Sequence, residues 1–307
     1  MLFFLETVIT GLLAGVMYSL VALGFVLIFK ASGVFNFAQG VFALFAGLAL
    51  YDFIAEGGWF HDLFGFVLPV WLGIIATMGV MVIVAWLVER LVLRHLVNQE
   101  PIILFMATIG LAYFMEGLGD TLFGSDVKPL NIGLPNGAVD FLLDNYNLYI
   151  EKLEIFAAVV AAIMVTVLAI FFQKTRIGRA LRAVADDHQA ALSVGISLRT
   201  IWVIVWSVSG FVALVAGIMW GSKSGIQFSL SLIALKALPV LILGGFTSVP
   251  GAIVGGLIIG VGEKVAEIYA GPFIGGAIEN WFAYMLALAF LLFRPQGLFG
   301  EKIIERV

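Results

Sequence analysis

The sequence predicts an all-α polytopic membrane protein, and three observations predict it. The chain is 62% hydrophobic and 12% charged, whereas a soluble domain is about half apolar and roughly a quarter charged. Apolar runs, 8–28 and 156–172 among them, approach or exceed the ~18–20 residues that a bilayer-spanning helix needs. The alternating segments of ~10 residues that build a membrane β-barrel are absent. With no cysteine in the chain, disulfides, thiolate metal sites and Cys nucleophiles are excluded.

Nine apolar segments can be drawn, at 8–29, 35–54, 67–88, 101–122, 155–173, 201–221, 231–247, 250–269 and 278–293. The first follows MLFFLET, which lacks the basic n-region of a secretory signal, and its apolar run is too long for a cleaved h-region. It reads as a span. The segments at 35–54 and 231–247 are less regular. One opens with Asn36 and Gln39; the other carries Lys236, Pro239 and the pair Gly244-Gly245. Both suit broken or re-entrant helices, which persist only against protein or a water-filled cavity. Eight to ten crossings are expected, in a single transmembrane domain spanning 1–307.

The connections sort by charge. Lys30, Arg90, Arg94, Lys174, Arg176, Arg179, Arg182, Arg199, Arg294, Lys302 and Arg306 fall on one side if nine segments alternate. The other side receives Asp52, Glu56, Asp62, Asp126, Asp140, Asp144, Glu151 and Glu154. The positive-inside rule places the N-terminus outside, in the periplasm, and the C-terminus in the cytoplasm. The basic connection at 174–199 is then cytoplasmic, and the acidic connection at 123–154 is an outer loop.

Glycine is frequent, at 35 residues, and clusters in GGFTSVPGAIVGG (244–256) and GLIIGVG (256–262). Close helix packing in lipid accounts for it better than a ligand loop does. No GxGxxG or Walker A pattern follows a strand.

Polar residues at membrane depth are the candidate pathway groups. They are Asn36 and Gln39 in VFNFAQG, Glu116 in ATIGLAYFMEGLGD, Ser207 and Ser209 in VIVWSVSGF, and Lys236 in LIALKALPV. Each has a plainer reading. Asn36 and Gln39 suit a helix cap, the serines suit bonds to their own helix, Glu116 lies near an outer end, and Lys236 can snorkel. No buried string of Asp, Glu and His relays protons and no mid-span acidic pair holds sodium. His61, His95 and His188 lack metal-ligand spacing. An ion-coupled transporter and an intramembrane hydrolase are both disfavoured, and any uphill transport draws its energy from elsewhere.

The stretch GRALRAVADDHQAALSVGIS (178–197) is rich in helix formers. On a helical wheel Leu181, Val184, His188 and Ala191 share one face, and Arg182, Asp186 and Gln189 another. Gly195 is a C-terminal stop. Basic residues before it suit an anionic lipid surface. The pair Asp186-Asp187 and the many alanines suit docking into a protein groove instead.

This stretch resembles the coupling loop of ATP-binding-cassette importer permeases, and in particular the permease subunits of branched-chain amino acid importers (the LivH type). Three further stretches agree: YSLVALGFVLIFKASGVFNFAQG (18–40), LKALPVLILGGFTSVPGAIVGGLIIGVGE (235–263) with its GG-x-x-S-x-x-GA-x-x-GG pattern, and LLFRPQGLFG (291–300) with its RP-x-GLFG ending. The resemblance covers nearly the whole chain in order. Many members carry His where this chain has Gln39, a departure that bears on solute identity. The resemblance implies a bacterial inner-membrane permease with no cofactor or metal of its own. It implies Arg179, Arg182, Ala183, Asp186, Asp187, Ala190, Ala191 and Gly195 as ATPase-coupling residues. It further implies a periplasmic binding protein, a second related permease subunit or a second copy, and two cytoplasmic ATPases that bind ATP and Mg. Relatives carry branched-chain or other amino acids, urea, short amides, or aromatic and alicyclic acids.

Overall fold

A computed structural model describes residues 2–96, 99–186 and 188–300; the side chains of Asp186 and His188 are not described. Asp187, Lys302 and Arg306 lie outside the described residues. The helices are α1 (Leu2–Ser32), α2 (Gln39–Ile54), α3 (Trp59–Phe64), α4 (Val70–Leu91), α5 (Pro101–Phe123), α6 (Asp140–Tyr146), α7 (Lys152–Lys174), α8 (Arg176–Asp186), α9 (His188–Ser193), α10 (Leu198–Ser224), α11 (Ile233–Gly244), α12 (Val249–Tyr269), α13 (Gly271–Ile274) and α14 (Glu279–Phe293). Short 3-10 turns occupy Leu93–His95 and Phe228–Leu232. Among the described residues the only β pairing is two isolated bridges. Seven helical stretches are long and apolar enough to cross a membrane, and two shorter apolar ones are Phe228–Gly244 and Glu279–Phe293. Each of the nine segments drawn from the sequence is met by one of these, so the chain is a polytopic helical membrane protein.

The chain divides into two compact units, one built from 1–26, 133–165 and 234–307, the other from 27–132 and 166–233. In the second, α2 is apolar on every side and buried along nearly its whole length, as a helix without a polar face must be. It packs against α4, α5 and α10. Gly217 brings α10 so close to α2 that a Cβ there would strike the Ala43 carbonyl. The ring of Trp206 meets Phe42 edge-on at 5.7 Å between centroids.

In the first unit the glycine clusters act as packing surface. Gly11, Gly15 and Ser19 recur every four residues on α1, and Ala252, Gly256 and Gly260 do so on α12. A Cβ on Gly15 would meet the Gly256 carbonyl, and one on Gly260 would meet that of Gly11. The Ser19 hydroxyl donates to the carbonyls of Gly15 (2.8 Å) and, across the contact, Ala252 (3.1 Å). Lipid tails give helices no hydrophobic reason to associate, so this direct backbone contact is a main source of cohesion.

The irregular segments behave as their residues require. The expected helix at 35–54 begins only at Gln39, after a non-helical turn. The segment at 231–247 becomes a 3-10 turn and the 12-residue helix α11 with Pro239 inside it. At 1.5 Å per residue, α11 covers roughly 18 Å, well short of a ~30 Å hydrocarbon core.

Candidate functional site

In the second unit, three pathway candidates come together. Asn36, Gln39 and Ser209 are fully buried. Ser209 Oγ donates to Gln39 Oε1 at 2.8 Å, and Gln39 Nε2 donates to the Ser209 carbonyl at 3.4 Å. Asn36 Nδ2 donates to the same Gln39 oxygen at 3.4 Å, while its Oδ1 accepts from Ala38 N at 3.1 Å. That last bond is an Asx turn; the expected capping role becomes a turn just before the helix. Thr108 on α5 completes the knot, accepting from Phe37 N (3.0 Å) and donating to the Phe35 and Phe105 carbonyls (3.1 and 2.8 Å). Non-helical backbone at membrane depth needs such partners, and the knot supplies them. Glu116 is half-buried on α5, and Ser207 Oγ donates to Val203 O of its own helix at 2.7 Å. Neither joins the knot.

In the first unit, Lys236 is the centre of a second polar cluster. Its Nζ lies 3.6 Å from Glu263 Oε1 and donates to the Glu279 carbonyl at 3.3 Å. It stands over the Tyr18 ring, 5.8 Å from the centroid. Glu263 is 1% exposed, against 24% for the Lys236 side chain. Lys264 pairs with Glu279 at 3.0 Å, and the Glu267 carboxylate accepts the N–H groups of Ala277, Ile278 and Glu279 (2.9, 2.5 and 3.0 Å), closing the entry to α14. Pro239 lacks an N–H, which leaves the Leu235 carbonyl without its helical partner. The Tyr284 hydroxyl of α14 donates to that carbonyl at 2.7 Å.

In the segment 174–199 the described residues are helical over Arg176–Asp186 and His188–Ser193. Thr175 accepts from Gly178 N at 2.9 Å and so starts α8. Arg182 turns back, its guanidinium donating to the Phe172 carbonyl at the end of α7. Leu181, Val184 and Ala191 are buried as the wheel requires. At the end of α9, Gly195 N bonds Leu192 O and Ile196 N bonds Ala191 O, both at 3.0 Å, with Gly195 at φ +85°. This is a Schellman stop. Arg179, Gln189 and Ala190 are exposed and Ala183 is half-buried. Leu192 and Val194 stand out at 52% and 75% exposed.

In the outer connection, Val139 N bonds Ile150 O and Lys152 N bonds Gly137 O, both at 2.9 Å, which closes a hairpin around α6. Lys152 Nζ donates to Asp140 Oδ2 at 2.8 Å, and this bond holds the Asp140 carboxyl below its ordinary pKa. Among the described residues no three His, Asp or Glu side chains gather as a metal site would need.

A family model described as the permease component of branched-chain amino acid transport systems matches residues 7–294. The chain belongs to this family. It is thereby a non-catalytic membrane subunit. It is 27% identical to the high-affinity branched-chain amino acid transport permease LivH of Escherichia coli K12, over 100% of this chain and 98% of that one. It is 28% identical to BraD of Pseudomonas aeruginosa (99% and 98% covered) and 26% to a probable LivH of Methanocaldococcus jannaschii (92% and 88%). Among solved structures, PsaBC from Streptococcus pneumoniae in complex with Fab overlays 92% of this chain and 89% of that one with TM-score 0.45 and 14% identity, too distant a likeness to say more.

In this permease the quoted motifs have physical roles. In GGFTSVPGA, Gly244 and Gly251 touch backbone to backbone, and Ser248 caps α12 by accepting from Gly251 N at 3.0 Å. In RPQGLFG, the N–H groups of Leu298 and Phe299 donate to the Leu243 and Gly244 carbonyls (2.8 and 3.1 Å). The tail thus satisfies the last carbonyls of α11. Reading the sequence missed Glu263, Tyr284 and Thr108. Glu263 had a signal, a carboxylate inside the apolar run GLIIGVGE. Tyr284 had only half of one: Pro239 calls for a donor but does not name it.

Proposed function

We propose that this chain is the membrane-spanning subunit of an ATP-binding-cassette importer for branched-chain or related hydrophobic amino acids, delivered by a periplasmic binding protein. The observation that carries this reading is the family match over 7–294, together with full-length similarity to permeases of that transport class. Residues 1–307 act as one permease domain in the bacterial inner membrane, N-terminus outside and C-terminus in the cytoplasm. The sorting of basic and acidic connections supports that orientation. The permease pairs with a related subunit or a second copy, and two ATPases supply ATP and Mg chemistry.

The ATPase docks on segment 174–199. Ala190, Leu192 and Val194 offer an exposed, small and apolar tip, the kind of surface that seats in a protein groove. Ala191 and Arg182 act behind it, one packed inside and the other tied to α7. Arg179 and Arg176 are exposed and suit the lipid surface. Asp186 and Asp187 complete the segment. Asn36, Gln39 and Ser209 serve the pathway by fixing the turn before α2; Glu116, Ser207 and Lys236 are its remaining polar groups.

A ligand screen on the partner binding protein tests the solute. Leucine, isoleucine or valine should stabilise it against heat. Stabilisation by urea or an aromatic acid, and by none of these three, would overturn the amino acid reading.

A further inference from the structure

Lys236 and Glu263 make an ion pair of an unusual kind. The other described pairs of the first unit are short: Lys264–Glu279 at 3.0 Å and Lys152–Asp140 at 2.8 Å. Lys236 and Glu263 stand 3.6 Å apart, beyond hydrogen-bond length, and the Tyr18 hydroxyl is the other polar group facing the Glu263 carboxylate. An ammonium carries three donors and a carboxylate accepts about four bonds. Lys236 spends one on the Glu279 carbonyl at 3.3 Å. Opposite charges are therefore paired while most of their hydrogen-bonding capacity is unspent. As a purely structural device this is a poor arrangement, because a buried pair offsets its desolvation only when its hydrogen bonds are made. Charged groups at membrane depth mark solute pathways by default.

The unspent groups are complementary to one ligand chemistry. An α-amino acid is a zwitterion, with a carboxylate for a lysine and an ammonium for a glutamate. Resting on the amino acid reading above, we propose that Lys236 and Glu263 form a paired-charge station for the backbone of the transported amino acid. Lys236, the accessible member, takes the solute carboxylate. Glu263, behind it, takes the solute ammonium in the place Lys236 vacates. One ammonium replaces another beside Glu263, so no charge is left uncompensated in the low-dielectric interior, where that would be costly. The adjacent backbone is held by the Tyr284–Leu235 bond, which leaves the four-carbon stem of Lys236 as the moving part.

The test uses the whole importer, with its partner subunits and binding protein, in ATP-supplied proteoliposomes with radiolabelled leucine. The double variant Lys236→Met with Glu263→Met removes both charges. Replacing a buried ion pair by apolar side chains of similar size is often neutral or stabilising. The variant should assemble with its partners and melt at the wild-type temperature, yet lose leucine uptake by at least about tenfold, the difference an interaction of roughly 1.4 kcal/mol makes. A purely structural pair would give unchanged melting and a smaller loss, and that result overturns the proposal. Should the double variant not assemble, Glu263→Gln decides by the same threshold. If the wild-type importer takes up no leucine, the amino acid reading falls and the station with it. If the wild type imports and the variants keep pace, only the station falls.

Discussion

Replacing Tyr284 by Phe isolates one hydrogen bond with a clear origin. The Tyr284 hydroxyl donates at 2.7 Å to the Leu235 carbonyl, the group that Pro239 deprives of its partner within α11. An unsatisfied buried carbonyl costs about 1–3 kcal/mol. Interhelical hydrogen bonds measured in membranes average ~0.6 and reach ~1.7 kcal/mol. Tyr284 is 38% exposed, which favours the lower end of the first range. A loss of about 1 kcal/mol follows for Tyr284→Phe, roughly a fivefold change in the folded-to-unfolded ratio. The decisive assay is a double-mutant cycle with Pro239→Ala, read by reversible unfolding in mixed micelles. Alanine restores an N–H to Leu235, so Tyr284→Phe should cost about 1 kcal/mol beside Pro239 and almost nothing beside Ala, a coupling readily resolved from additivity. Equal costs in both backgrounds would refute the assigned role of the hydroxyl.

Three other outcomes are expected. Gly256→Leu should abolish recovery of monodisperse protein in size-exclusion chromatography, since its Cβ would strike the Ser19 hydroxyl and the Gly15 backbone, an overpacking of about 3 kcal/mol or more. Gly110→Ala, whose Cβ meets nothing within 4 Å, should be tolerated; similar behaviour of the two variants would count against the α1–α12 contact. The Asp140 carboxyl, lowered by Lys152, supports the α6 hairpin above the ordinary carboxylate pKa of about 3.9 and loses that support as pH falls through its own lower value. Amide protection over residues 137–152, taken relative to the intrinsic exchange rate at each pH, should fall on acidification in the wild type and fall less in Asp140→Asn; an undiminished acid step in the variant would contradict this. Val194→Glu, placing a charge on a side chain 75% exposed, should release the partner ATPase in pull-down while the permease still inserts, and retention at wild-type yield would remove the docking role.

The spans were legible because twenty-residue apolar runs leave few alternatives in a bilayer. The flawed span was legible too, since Pro239 and Gly244-Gly245 are local facts, and the structure shortens α11 there. Gly195 announced its stop by residue type alone. Pairings made by the fold were out of reach. Ser209 and Gln39 meet across 170 positions, and Lys236 meets Glu263 from a different helix. A helical wheel placed Arg182 on a different face from Leu181 and Val184; the Phe172 carbonyl that holds it belongs to the preceding helix, which a wheel does not contain. Asn36 was visible as a polar group at depth, but the turn it serves is also held by Thr108, an ordinary residue in its own helix.

The central claim concerns the source of energy and the kind of solute, and one measurement reaches both. The permease, reconstituted with its ATPase, its permease partner and a binding protein, should accumulate leucine in proteoliposomes only when ATP is supplied to the ATPase side. The chain alone should accumulate none. Accumulation by the chain alone under an ion gradient, without ATP, would contradict the account.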